Sequence, residues 1–282
     1  MPRVLIVGDE RKGRVREVLG AVVDVLQRRG VEHEVELDRE APLAGREADL
    51  VVVLGGDGSI LAAARRMGPD QRPTLGINIG RLGFLTAFGD DRAAEGVEMA
   101  LDGKLVEEPR LMLTCVVERS NGGSDDSVLF LNDVVLSAKP GAGIVRLIAA
   151  RVDRELGAYS GDGLIVSTPV GSTAYSLAAG GPILSPRLEA VVLTPLAPHS
   201  ISVRPLVLPV GDGFELRVED AGNCDKCSLM IDGQVAKDVS PEDVVRIETT
   251  ETRFRQLTHG PANFFAVLRE KFGWSDEPRR RH

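Results

Sequence analysis

Residues 50–54, Leu-Val-Val-Val-Leu, are apolar without interruption and lead directly into Gly55-Gly56-Asp57-Gly58-Ser59. A strand with no polar side has both faces covered, the condition of a central strand in a parallel sheet with helices on either side. The flanking segments agree. Residues 3–8 read as an apolar strand, residues 14–29 carry Val15, Val18, Leu19, Val22, Val25 and Leu26 at helical spacing, and residues 32–37 alternate as a strand. An alanine-rich helix is predicted over 59–67 with Ser59 as its cap, then a strand over 74–78 and a helix over 93–101. Such strand–helix alternation predicts an α/β N-terminal domain with a parallel, Rossmann-like sheet over residues 1–106.

From about residue 107 the pattern changes. Residues 110–119, 128–137, 144–153, 214–219, 227–231 and 243–249 are strand-like, and turn signals such as Asn121-Gly122-Gly123, Asp212-Gly213 and Asp232-Gly233 separate them. The expectation is a β-rich, sandwich-like C-terminal domain over 107–258. Helical spacing returns over 261–272, so residues 259–282 are expected to form a helix that goes back to the α/β domain, with a solvated tail over 277–282.

Composition narrows the function classes. The net charge of −8 disfavours a polyanion or an acidic membrane as partner, and an aromatic content of 4% disfavours a stacking platform for single-stranded nucleic acid. No apolar run is long enough to cross a bilayer, and the N-terminus opens a strand, so the expected compartment is the cytoplasm. The three cysteines cannot build a disulfide framework; Cys224 and Cys227 form a lone C-x-x-C without further zinc ligands. His33, His199, His259 and His282 share no metal spacing. No residue is assigned to a metal.

Four segments carry chemistry. Gly55, Gly56 and Gly58 let the main chain approach a phosphate at a strand-to-helix junction, while Asp57 among them suits a metal or a hydroxyl proton. The chain lacks the Walker sequence, and Gly8-Asp9-Glu10-Arg11-Lys12-Gly13 after the first strand is not G-x-G-x-x-G, so hydride transfer loses its usual support. Residues 76–88 are broken by three glycines, and Phe84 there either covers a bound base or plugs the core. Asn132-Asp133 is a polar pair inside a strand-like run, suited to a base edge and a ribose diol or else to a solvent-facing strand position. Residues 161–184 have no period and few bulky apolar side chains; they place Asp162, Ser167, Thr168, Ser172, Thr173, Tyr175 and Ser176 on what reads as a close-fitting polar surface.

Together these segments resemble the NAD kinase family. Gly55-Gly56-Asp57-Gly58-Ser59 is similar to its GGDG[T/S] motif, residues 76–86 to its G-x-N-x-G-x-L-G-F-L-T stretch, Asn132-Asp133 to its Asn-Glu pair, and residues 162–184 to its long D-G-L-I-x-S-T-P signature. Residues 198–206, Asp232-Gly233-Gln234 and 265–274 resemble later family segments. The resemblance implies ATP-dependent phosphorylation of the 2′-hydroxyl of the adenosine ribose of NAD, a divalent cation (magnesium), and a homodimer or homotetramer. It makes Asp57 the proton acceptor and places Gly58 and Phe84 along the site. Asn132 and Asp133 would hold the adenosine end, and Asp162, Thr173, Ala174, Tyr175, Ser176, Leu177 and Ala178 would cradle the dinucleotide, with Ala197 and Gln234 nearby.

Three positions depart from the pattern. Asp133 replaces glutamate and reaches one methylene less, Val170 replaces threonine, and residues 137–146 offer no clear match for a basic or histidine contact, with Arg146 the nearest substitute. Two rivals remain at this level. One is another GGDG-type kinase acting on a sugar phosphate or a lipid; the other is a dinucleotide-binding sensor without turnover.

Overall fold

The computed structural model describes residues 2–11, 13–80, 83–151 and 154–273, and the chain divides into two compact units. One comprises Met1–Pro109 with Phe254–His282, the other Arg110–Arg253. The expected tail over 277–282 and Trp274 lie outside the described residues.

The first unit contains β1 (Arg3–Val7), α1 (Val15–Arg28), β2 (Glu32–Glu36), β3 (Leu50–Leu54), α2 (Asp57–Met67), β4 (Thr74–Asn78), β5 (Phe88–Gly89) and α3 (Ala93–Leu101). Its strands are parallel in the order β4–β3–β1–β2, and β5 joins β4. Every residue of β3 is buried, as its unbroken apolar sequence requires. Val15, Val18, Val22, Val25 and Leu26 form the buried stripe of α1 and pack into a core with Val52, Leu54 and Ile77. Burial of each such side chain stabilises the unit by about 1.5–3 kcal/mol. Helix α2 starts earlier than its composition suggests. Gly56 is extended, Asp57 opens the first turn, and the Ser59 N–H already donates to Gly56 at 2.9 Å, so Ser59 is not a cap. A carboxylate is favourable there because the unpaired N–H groups of a helix N-terminus carry partial positive charge.

The second unit holds β6 (Val106–Glu118, from Arg110 onward), β7 (Val128–Phe130), β8 (Asp133–Ser137), β9 (Val145–Arg151), β10 (Arg154–Gly161), β11 (Gly163–Ser167), α4 (Tyr175–Ala178), β12 (Ala190–Leu196), β13 (Leu206–Pro209), β14 (Phe214–Asp220), β15 (Cys227–Ile231), β16 (Val235–Val239) and the first part of β17 (Val244–Thr258). An antiparallel sheet runs β13–β12–β11–β8–β15–β16, and a second runs β10–β9–β14–β17 with β6 and β7 beyond. Their inner faces share one core that includes Leu113, Val134, Leu136, Leu147, Leu164, Val166, Leu216, Leu229 and Val245, which makes the unit a sandwich. Alternation along β8 and β11 turns Val135 and Ile165 to the opposite face, where they pack with Leu196 and the partly buried Ala179 and Met230.

Two local readings are corrected here. Residues 161–184 are not without regular structure, since Gly163–Ser167 is a strand and Tyr175–Ala178 a short helix. All five residues of that strand are buried, so it has no polar side to reveal a period of two. Asn132-Asp133 does not sit inside one strand but at the break between β7 and β8. The strands over 154–161, 190–196 and 206–209 also escaped the sequence pattern.

The last residues of β17 and the helix α5 (Ala262–Phe272) belong to the first unit. Gln256 pairs in parallel with Thr74 there, and Val267 and Leu268 are buried. Cys115 and Cys227 are buried, and burial pushes their thiols up to about 12 and about 11, so both are inert at neutral pH. Among the described residues no helix is long and apolar enough to cross a membrane.

Candidate functional site

In the first unit the carboxyl end of β3 meets the N-terminus of α2, and Asp57 is tethered there by main-chain donors. Phe84 N–H donates to its Oδ2 at 2.9 Å and Leu85 N–H to its Oδ1 at 3.0 Å. A Cβ on Gly83 would lie 1.9 Å from Oδ1, so the loop after β4 closes on Asp57 only with glycine at that place. Gly76 is needed for the same closure, because a Cβ there would fall 2.9 Å from the Leu85 carbonyl. Gln256 donates to that carbonyl at 3.0 Å, and Gly83 N–H donates to Thr86 Oγ1 at 3.0 Å. Each Asp57 oxygen thus accepts one bond and keeps a second lone pair for a ligand. Gly56 and Asp57 are half-buried and Gly58 is exposed, so the junction is open to solvent.

Phe84 is half-buried and joins an aromatic group from α5: its ring lies 6.3 Å from Phe264 and 5.8 Å from Phe272, with Lys271 Nζ 4.6 Å from its centroid. The ring thus neither plugs the core nor stands clear of the chain.

In the second unit, Leu131-Asn132-Asp133 is bonded on every peptide group. The Asp232 carboxylate accepts from Leu131 N–H (3.0 Å), Asn132 N–H (2.7 Å) and Asp133 N–H (3.2 Å). The carbonyls of Leu131 and Asn132 accept from Thr168 Oγ1 at 2.5 Å and Thr168 N–H at 2.8 Å, and that of Asp133 accepts from Asp232 N–H at 2.9 Å. Asp232 adopts φ 50°, within the left-handed region that Asp and Asn visit more readily than most side chains. Against this scaffold, Asp133 is only 5% exposed, and no described residue bonds or pairs with its carboxyl. Burial, and then the Asp232 charge, push it up to about 7. A buried acid without a donor is costly unless a ligand supplies one.

The segment that follows β11 uses its hydroxyls for itself. Ser167, Thr168, Ser172 and Ser176 are fully buried. Ser172 Oγ donates to the Pro169 carbonyl (2.6 Å) and accepts from Leu184 N–H (2.9 Å), Ser176 Oγ shares a bond with Thr194 Oγ1 (2.8 Å), and Thr173 Oγ1 donates to the Val170 carbonyl (3.0 Å). These hydroxyls shape the loop from within and do not form the polar surface that the sequence pattern predicts. Tyr175, half exposed, and Ala178 instead face a cleft of about 810 Å³, together with Asp162, Ala197 and Lys139. Ala197 holds φ 42° on the rim, a strained value for alanine of the sort that clusters at ligand sites. Thr173, Ala174, Leu177 and Gln234 do not line this cleft.

Lys139 was missed by the sequence reading. It lines the cleft, with Nζ 2.7 Å from Asp238 Oδ1, while Arg146 on β9 bonds Glu219 on β14 and Ser160 on β10. Its signal was only a lone lysine beside Pro140-Gly141, which resembles any exposed turn. Asp162 and Asp133 stand at opposite ends of the paired strands β8 and β11, because Ser167 pairs with Asp133 and Gly163 with Ser137. The five steps from Asp162 to Ser167 span about 17 Å.

Among the described residues no group of three or more His, Cys, Asp or Glu side chains could hold a metal ion.

Two family models match the chain: the ATP-NAD kinase N-terminal domain over residues 12–105 and the ATP-NAD kinase C-terminal domain over residues 131–258. The chain is 38% identical over 281 residues to an NAD kinase of Heliobacterium modesticaldum, covering 96% of this chain and 98% of that one. It is 37% identical over 288 residues to an NAD kinase of Geobacter sulfurreducens, covering 98% and 100%. Among solved structures, an NAD kinase from Archaeoglobus fulgidus in complex with ATP superposes with a TM-score of 0.74 at 27% identity, covering 94% of this chain and 96% of that one. Yeast NADH kinase complexed with NADH shares the fold, with a TM-score of 0.88 at 24% identity over 100% of this chain and 90% of that one.

Proposed function

The chain belongs to the NAD kinase family, and on that premise we propose which of its residues carry the reaction. It is a phosphotransferase: ATP supplies a phosphoryl group to the 2′-hydroxyl of the adenosine ribose of NAD, giving NADP. Asp57 is the proton acceptor. A ribose hydroxyl is a weak acid and transfer is loose, so the carboxylate need only align the hydroxyl and receive its proton as the new P–O bond forms. The observation that carries this role is the tether from Phe84 and Leu85, which fixes both oxygens at a helix N-terminus and leaves each a lone pair.

Gly55, Gly56 and Gly58 let the main chain come close to phosphate at the helix N-terminus, the Gly55 N–H itself donating to the Ile77 carbonyl at 2.9 Å. Asn132 and Asp133 hold the adenosine ribose, the unpartnered Asp133 carboxyl taking the diol. Asp162, Tyr175, Ala178 and Ala197 receive another part of the dinucleotide, with Lys139 as the cleft's cation. Thr173, Ala174, Ser176 and Leu177 contribute main-chain shape, Phe84 borders the Asp57 junction, and Gln234 closes the Asp232 turn. A divalent cation, magnesium in this reading, is compatible with described residues that form no dedicated metal cage, since magnesium keeps much of its shell as water and phosphate oxygen. When bound, it would supply charge neutralisation at the phosphates that Gly55, Gly56 and Gly58 approach. The working form is a homodimer or homotetramer in the cytoplasm.

The test is purified protein with NAD, ATP and magnesium, followed for NADP, with sedimentation for the oligomer. Phosphorylation of fructose 6-phosphate or diacylglycerol while NAD stays untouched would sink the reading.

A further inference from the structure

Asp232 lies outside every contact expected of a ligand, yet it is the hub of the Asn132-Asp133 scaffold. Its carboxylate collects three consecutive N–H groups, Leu131, Asn132 and Asp133, at 2.7–3.2 Å, and its own N–H returns to the Asp133 carbonyl at 2.9 Å. Successive main-chain N–H groups that converge on one anion form a concave nest, and here the anion belongs to the protein. The arrangement has two effects on Asp133. First, it consumes the main-chain donors that the Asp133 side chain would otherwise attract, so the buried carboxyl is left for a ligand's hydroxyls. Second, it pins both ends of the Asn132 peptide, because Thr168 holds the opposite carbonyls, at 2.5 and 2.8 Å. Rotation of that peptide would break bonds on two sides at once.

We propose that Asp232 is a positioning residue for the NAD-binding pair Asn132-Asp133, holding the peptide in its ligand-ready form before NAD arrives. The inference rests on the assignment of Asn132 and Asp133 to the adenosine ribose. Asp232 touches no reacting atom in this account. Its action is confined to one substrate, so its loss is a loss of NAD affinity and not of ATP affinity or of the phosphoryl-transfer step.

The substitution that reads this is Asp232→Asn, which keeps the shape and one acceptor oxygen but turns an amide NH₂ toward a donor. The expected result is a rise of at least tenfold in KM for NAD, with KM for ATP and kcat at saturating NAD each within about twofold of the parent. A merely structural role would lower the melting temperature and the active fraction, and so kcat, while leaving KM for NAD in place; that outcome overturns the proposal. Asp133→Ala run in parallel separates the two levels. If it raises KM for NAD and Asp232→Asn does not, the positioning role fails and the ribose assignment stands. If neither variant moves KM for NAD, the ribose assignment itself has failed. Should Asp232→Asn not fold, hydrogen exchange on the unsubstituted protein decides. The amides of Leu131, Asn132 and Asp133 should be protected without NAD and change little on its addition, whereas fast exchange that slows only with NAD overturns the pre-formed nest.

Discussion

The Asp57 carboxylate occupies the place that a side chain at Gly83 would need: a Cβ there falls 1.9 Å from Oδ1 and 2.6 Å from Cγ. The carboxylate cannot retreat without giving up Phe84 N–H or Leu85 N–H. Gly83→Ala should therefore displace the acceptor, lowering turnover at least tenfold for a stability cost of about 1–3 kcal/mol, the usual range for overpacking. Turnover within twofold of the parent, with a normal melt, would show that the loop yields and Asp57 stays in place.

Asp57→Asn should preserve nucleotide binding and lower turnover by at least ~10²-fold, the low end for a positioned proton acceptor. One of its two tethers becomes a contact between donors, so a melting loss of about 1 kcal/mol should accompany it. Steady-state kinetics beside equilibrium binding of ATP and NAD checks both halves; a drop in affinity alone would remove Asp57 from the chemistry.

Burial and the Asp232 charge move Asp133 from 3.8 to about 7, so between those values the folded chain retains a proton that the unfolded chain has released. The carboxyl's contribution to stability is complete below about pH 4 and is lost as pH rises through 7, at up to about 1.4 kcal/mol per pH unit. Asp133→Asn, which cannot ionise, should be more stable than the parent at pH 8 by about 1–3 kcal/mol, with the gain shrinking toward pH 5. Denaturant unfolding at the two pH values measures this, and an equal difference at both would contradict the ionisation argument.

Ser176 and Tyr175 are neighbours with opposite tasks. Ser176→Ala leaves the buried Thr194 hydroxyl without its 2.8 Å partner and should cost about 1–3 kcal/mol of stability while leaving KM for NAD nearly unchanged. Tyr175→Ala, on the cleft wall, should do the reverse. A rise in KM for NAD with Ser176→Ala would place that hydroxyl at the ligand after all.

The parts of this chain that were legible in the sequence are those whose pattern is local. The unbroken apolar run of β3 announced a covered parallel strand, and the spacing of valines along α1 announced its buried stripe. The site motifs were visible because glycine beside polar residues is unusual at a strand-to-helix junction. What stayed hidden depends on partners distant in sequence. The inward turn of Ser172 and Ser176 is decided by Leu184 and Thr194, and the hub at Asp232 by residues 99 to 101 positions away. Strand β11 was hidden for another reason: a segment covered on both faces shows no alternation, and its terminal Gly163 and Ser167 read as parts of a loop.

The isolation of Asp133 also makes loading of the site an exchange with the solvent. At neutral pH the group is divided between acid and anion. A ribose diol donates hydrogen bonds and so selects the anion, and each NAD taken up then expels a fraction of a proton into the buffer. Heats of binding measured in two buffers of unlike ionisation enthalpy will differ by that fraction, and acidification will loosen the grip on the dinucleotide while leaving the phosphoryl donor's untouched.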